Sequence, residues 1–284
     1  MELDMDSQKS TAKYEFMEIH GEIGGPFRAA ILDFDGTLSL LRQNWQDVMI
    51  PMMVEILQNT GTDESPDQLY DCAEEFVMRL NGRQTIYQMI HLAEEVDIRG
   101  GRSLDPLDYK RQYHDLLSVQ VEGRISAAQE SDESREAMTV AGSRELLQSL
   151  ADAGVELYLA SGTDLVYVKE EIELLGLASF FGEHIYGALD DHENFSKAMV
   201  IQQIIEVAGI SGPQILGFGD GFVEIEEVKR VGGTAVGVAS NEETRQGINP
   251  WKRTRLLDAG ADIIIGDYRR QQDLFAALGI PCSP

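Results

Sequence analysis

The chain has 284 residues, 43% of them hydrophobic and 25% charged, which is the composition of a soluble globular protein with enough length to bury a large core. Acidic residues outnumber basic ones by 49 to 23, and a net charge of -26 argues against nucleic acid or an anionic membrane as partner, since both are held by lysine and arginine. Cys72 and Cys282 have no CxxC or histidine cluster beside them, so neither a disulfide framework nor a thiolate zinc site is expected.

The segment from Met1 to Asp6 is acidic and lacks the apolar core of a signal peptide, and no apolar run approaches the roughly 18 residues of a membrane span. A cytoplasmic protein is expected. Residues 1 to 12 are polar and predicted to be disordered. Tyr14 to His20 alternates as an edge strand does, and Gly24-Gly25-Pro26 ends it. Ala29-Ala30-Ile31-Leu32 then reads as a strand covered on both faces, stopping at Asp33-Phe34-Asp35-Gly36-Thr37. Asp33 and Asp35 are two apart, so in extended backbone their side chains leave the same side of the chain. Two carboxylates held that close repel unless a cation binds or one stays protonated.

From Leu41 the pattern turns helical for about a hundred residues. Trp45, Met49, Met52, Met53 and Ile56 form one apolar face, with Pro51 expected to kink or restart the helix. Ser65-Pro66-Asp67-Gln68 has the form of a capping box. The helix it opens is predicted to bury Cys72 as a small core residue. Further helices are predicted over about 85–96 and 106–123. His91 and His114 fall within them without a partner at metal-ligand spacing and read as incidental. Asn81 to Thr85 is a polar turn between two of these helices. There Arg83 is either a solvated residue or a clamp for a carboxylate or sugar phosphate.

Beyond residue 140 helix and strand alternate. Helix 143–153 precedes strand 155–160, which ends at Ser161-Gly162-Thr163 and feeds helix 164–175. Strand 185–188 precedes a helix that Ser196 caps and Lys197 opens. Strand 214–218 stops at Gly219-Asp220-Gly221 before helix 222–231, and strands 234–238 and 262–265 and a helix over about 271–278 complete the series. Such alternation predicts an α/β fold, a doubly wound parallel-sheet, Rossmann-like core of residues 28–41 and 141–284. Residues 42–140 are inserted in it as an all-helical cap, and residues 1–27 form a tail with the edge strand. In such sheets ligands lie beyond the carboxyl ends of the strands, which is where Asp33, Asp35, Ser161 and Asp220 stand.

In order, ILDFDGTL, LASGT, Lys197 at a helix start and GFGDGFVEIEE resemble the four motifs of the haloacid dehalogenase-like hydrolases. The position of the helical insertion is similar to that of the subgroup containing phosphoglycolate phosphatase and β-phosphoglucomutase. The resemblance implies Asp33 as nucleophile, Asp35 as general acid and base, and Thr37 as a residue that orients the first loop. It implies Ser161, Gly162 and Lys197 as phosphoryl-binding groups. Mg²⁺ is implied between Asp33, Asp220 and the main-chain carbonyl of Asp35, and four converging acids would repel one another severely without a cation. Glu224 is one methylene longer than the aspartate of many members, so it is expected to act through water or on Lys197 rather than as a firm metal ligand. Asp35 argues against a dehalogenase. Lys110, alone of its type in the insertion, leaves a Schiff-base phosphonatase a weak alternative. The expectation is a Mg²⁺-dependent phosphatase acting on a small phosphorylated metabolite, of phosphoglycolate or sugar-phosphate type, through an aspartyl phosphate. A phosphomutase or a non-catalytic phosphate-binding protein on the same fold are the alternatives, and the sequence leaves the oligomeric state open.

Overall fold

A computed structural model describes residues 16–190 and 195–281. The predicted disorder of residues 1–12 and the surroundings of Cys282 lie outside the described residues. In chain order the elements begin with β1 (Met17–Ile19) and β2 (Ala29–Leu32), followed by α1 (Gln46–Gln58), α2 (Pro66–Arg79), α3 (Thr85–Ile98), α4 (Pro106–Glu130) and α5 (Asp132–Glu136). Then come α6 (Ser143–Asp152), β3 (Glu156–Asp164), α7 (Leu165–Leu174), α8 (Ala178–Phe181), β4 (Ile185–Ala188) and α9 (Lys197–Ala208). The chain closes with β5 (Ile215–Gly219), α10 (Phe222–Arg230), β6 (Thr234–Val238), α11 (Pro250–Asp258), β7 (Ile263–Ile265) and α12 (Gln271–Leu278).

One sheet carries the strands in the order β1-β7-β6-β5-β2-β3-β4. β2 pairs in parallel with β3 on one side and β5 on the other, Ala29 lying opposite both Glu156 and Ile215. The chain winds away from β2 in both directions, so this strand marks the point where strand order reverses. All four of its residues are buried. Ala30 and Leu32 join the apolar cluster of α6, α7 and α12, through residues such as Leu146, Ile172 and Phe275, whereas Ala29 and Ile31 join Val200, Ile225 and Leu256 of α9, α10 and α11. The alternation of side chains along a strand thus explains why a continuous apolar run was needed at this place. The core strands β2 to β7 are all parallel, as expected, and the edge strand β1 joins them antiparallel to β7, with Met17 opposite Ile265, so the whole sheet is mixed. An antiparallel edge needs no crossover helix, and short alternation within β1 is silent on direction.

The insertion after β2 builds its own apolar cluster from α1 to α4, including Met49, Met53, Phe76, Met89, Leu92 and Tyr109. The Ser65–Gln68 capping box is present at α2. α1 continues across Pro51 without restarting; Pro51 is exposed and close to the helix start, and Asp47, whose carbonyl it leaves unpaired within the helix, is exposed to solvent too. Cys72 packs against this apolar cluster but is only half-buried, its Sγ 3.6 Å from Glu95 Oε2, so it stands at the edge of the core rather than within it. No helix among the described residues is long and apolar enough to cross a membrane.

Candidate active site

The loop leaving β2 is wound tightly. Leu38 N and Ser39 N both donate to Phe34 O, at 2.8 and 2.9 Å, and Gly36 N donates to Ser39 O at 2.8 Å. Gly36 has φ +73°, and a side chain there would collide with the Asp220 carboxylate. Thr37 is fully buried below the loop. Its Oγ1 accepts from Asp220 N at 3.0 Å and its carbonyl accepts from Tyr268 Oη at 3.0 Å, so this residue ties the end of β2 to the end of β5.

Asp33 is 7% exposed and Lys197 5%. Ser196 Oγ accepts from Met199 N at 3.2 Å, which starts α9 at Lys197. Lys197 Nζ lies 3.0 Å from Asp33 Oδ1 and also contacts Glu224 Oε1. Glu224 can reach it because Gly219 leaves room for its stem. One ammonium therefore fixes two buried carboxylates, one just past the end of β2 and one in the first turn of α10.

Asp35 is held by Thr163, whose Oγ1 donates to Asp35 Oδ2 at 2.7 Å, while Asp35 Oδ1 is enclosed without a hydrogen-bond partner. Burial pushes its carboxyl up to about 7, against the opposing Arg42 charge, with smaller upward contributions from Glu171 and then Asp33. Burial contributes more to this upward shift than the neighbouring aspartate does. Ser161, 1% exposed, accepts from Thr163 N at 3.0 Å and so shapes the turn that delivers Thr163.

Arg42 and Glu171 were not anticipated. Arg42 Nη2 donates to Glu171 Oε1 at 2.6 Å and Nε donates to the same carboxylate at 2.9 and 3.2 Å, both residues being buried. The guanidinium also sits 5.2 Å from the Tyr167 ring centroid. A signal existed for Glu171, which falls on the buried face of α7 with Val168 and Ile172. Lys252 was missed as well. Its Nζ lies 2.8 Å from Asp220 Oδ2 and 2.6 Å from Glu242 Oε1. Burial pushes the Asp220 carboxyl up to about 6 although the Lys252 ammonium opposes it.

Asp33, Asp35, Asp220, Ser161, Gly162 and Lys197 line one cavity, closed on the other side by cap residues that include Trp45 and Arg83. Thr37 and Glu224 stand behind it. The turn carrying Arg83 sits directly on the core: a Cβ on Gly162 would come 2.8 Å from Arg83 O. Arg83 itself is exposed at the cavity wall. Lys110 and His114, read as a weak alternative and as incidental, are both buried and face Asp164, at 2.6 Å from Oδ1 and 3.4 Å from Oδ2 respectively. Tertiary packing of α4 on the end of β3 supplies partners that helix spacing cannot display.

Among the described residues no group of three or more His, Cys, Asp or Glu is arranged to hold a metal ion. The donor chemistry nevertheless fits Mg²⁺, which needs only one or two carboxylates alongside water and phosphate oxygens. Asp33, buried, and Asp220, partly buried, are hard-oxygen donors whose charges act on each other, the condition a divalent cation relieves. Glu224 has its Oε1 engaged by Lys197.

Carboxylates gathered with a lysine and hydroxyls at the switch point of a doubly wound sheet define a class of α/β enzymes. The sequence profile of the haloacid dehalogenase-like hydrolases matches residues 27–232, and the chain belongs to that family. Among solved structures, a protein described as a predicted phosphatase from Clostridium acetobutylicum is 18% identical, with 89% of this chain and 100% of that one covered at a TM-score of 0.57. A predicted phosphoglycolate phosphatase from Haemophilus somnus 129PT is 15% identical, with 87% and 97% covered at 0.56. A conserved haloacid dehalogenase-like protein of unknown function from Agrobacterium tumefaciens is 19% identical, with 89% and 99% covered at 0.57. At these identities the likeness is one of fold. No curated protein matches the chain.

Proposed function

We propose that the protein is a Mg²⁺-dependent phosphatase that hydrolyses a small phosphomonoester, of phosphoglycolate or sugar-phosphate type, in the cytoplasm. The observation carrying this reading is Asp35: a carboxyl pushed up to about 7, hydrogen-bonded by Thr163 and facing the same cavity as Asp33. A leaving alkoxide needs a proton near neutral pH, and this group can deliver one.

Asp33 attacks phosphorus and forms an aspartyl phosphate, while the P–O bond to the leaving group breaks and that oxygen takes the Asp35 proton. Asp35, now ionised, accepts a proton from the water that attacks the aspartyl phosphate, releasing orthophosphate and restoring Asp33. Lys197 aligns Asp33 and balances charge on the phosphoryl oxygens, which Ser161 and the Gly162 main chain hydrogen-bond. Asp33, Asp220 and the Asp35 carbonyl would hold Mg²⁺, which when bound supplies further positive charge to the phosphoryl group. Residues 28–41 and 141–284 serve as the catalytic domain and residues 42–140 as the cap that chooses the leaving group, Arg83 contacting it.

A panel of phosphorylated metabolites assayed for orthophosphate release with Mg²⁺, repeated with Asp35→Asn, tests this. Release by the wild type that falls at least about a hundredfold in the variant is expected. Isomerisation that depends on a bisphosphate activator, without phosphate release, would make the protein a phosphomutase instead.

A further inference from the structure

Lys252 has no part in the chemistry just described, yet the fold spends unusual effort on it. Asn249 Oδ1 accepts from Trp251 N at 3.0 Å and from Lys252 N at 3.1 Å, fixing Lys252 in the first turn of α11. Its side chain is only 10% exposed. Nζ donates to Asp220 Oδ2 at 2.8 Å, Glu242 Oε1 at 2.6 Å and Ser240 Oγ at 3.2 Å. Those three acceptors use all three protons of the ammonium. Ser240 Oγ in turn donates to Gly36 O at 2.8 Å, so the network returns to the loop that carries Asp35. Glu242 reaches the cavity wall from the same side.

We infer that Lys252 is a positioning residue for Asp220, holding Oδ2 so that Oδ1 alone is offered to the metal, and that its charge, partly balanced by Glu242, sets the affinity of the site for a divalent cation. The inference rests on the reading of Asp220 as a metal ligand. An ammonium bound to Oδ2 stands within a few ångströms of any cation on Oδ1, and in a partly buried site that repulsion exceeds the benefit of ordering one short side chain. Lys252 therefore weakens metal binding while holding Asp220 Oδ2 in place when no metal is present. Glu242 acts in the opposite sense, by offsetting the ammonium.

Mn²⁺ binding to the full chain without substrate, followed by loss of the free-ion EPR signal, tests this for wild type, Lys252→Met, Glu242→Gln and Asp220→Asn, with folding checked by circular dichroism. Lys252→Met should bind Mn²⁺ about tenfold more tightly, and Glu242→Gln about threefold more weakly. A lysine with a merely structural role would leave affinity unchanged or, when removed, lower it. Unchanged or weakened binding by a folded Lys252→Met overturns the inference. If that variant does not fold, Glu242→Gln decides, and unaltered affinity there overturns it. Wild type that fails to bind, or Asp220→Asn that binds as wild type does, removes the metal reading itself and the inference with it.

Discussion

Thr163 Oγ1 donates a 2.7 Å hydrogen bond to Asp35 Oδ2, joining the end of β3 to the loop that follows β2. The bond orients a carboxyl whose other oxygen is enclosed without a partner, and in the proposed mechanism that oxygen is the one left to exchange a proton with substrate. Thr163→Val keeps the shape and removes the donor. We expect kcat to fall about tenfold with KM changed little, and Thr163→Ser to recover most of the loss.

Arg42 and Glu171 form a buried, forked ion pair beside Asp35. Removing one partner leaves the other charge buried alone. Arg42→Met should lower the free energy of unfolding by about 3 to 5 kcal/mol, measured by urea denaturation, whereas Arg42→Met combined with Glu171→Leu should recover part of it. A cost below about 1 kcal/mol for the single variant would show that water reaches the pair.

Asp164 links cap to core. Burial pushes its carboxyl up, but the His114 and Lys110 side chains outweigh burial and hold it below the usual carboxylate range. A carboxyl lowered on folding contributes stability above its unfolded pKa, and that contribution is lost as pH falls through the folded value. The stability advantage of wild type over Asp164→Asn, about 1 to 3 kcal/mol, should therefore be constant from pH 7 to about 5. It should shrink only below pH of about 4, with the folded pKa setting where it vanishes. Denaturation curves at stepped pH check the order; an advantage lost between pH 7 and 5 would show that the Asp164 carboxyl is not held below the usual range.

The cap turn rests on Gly162, where a Cβ would come 2.8 Å from Arg83 O. Main chain cannot swing aside as a flexible side chain does, so Gly162→Ala must lift the turn. KM for the substrate identified by screening should rise about tenfold, and Arg83→Ala should raise KM with kcat nearly unchanged. Unchanged kinetics in Arg83→Ala would remove that residue from the leaving-group pocket.

The aspartates, Ser161 and Lys197 could be read from the chain because each stands where an apolar strand stops or a helix begins, and those boundaries are local. Their convergence followed from one rule about parallel sheets. Arg42 with Glu171, and Lys252 with Glu242 and Asp220, were hidden for a physical reason: periodicity reports which face a residue occupies but not what it meets across 129 positions of chain, as Arg42 meets Glu171. Glu171 on a buried helix face was a visible anomaly; Lys252 offered none, since the helix that carries it has little apolar periodicity. His114 and Lys110 show the same limit, as does β1, where alternation marks an edge strand but leaves its direction open.

In the proposed mechanism Asp33 becomes phosphorylated during turnover. Borohydride reduction of an aspartyl phosphate yields homoserine, so enzyme quenched during steady-state hydrolysis of an aryl phosphate with Mg²⁺, then reduced and digested, should carry homoserine at position 33, and Asp33→Asn should be inactive. Phosphate release with Asp33 unmodified, or sustained by Asp33→Asn, would contradict the account.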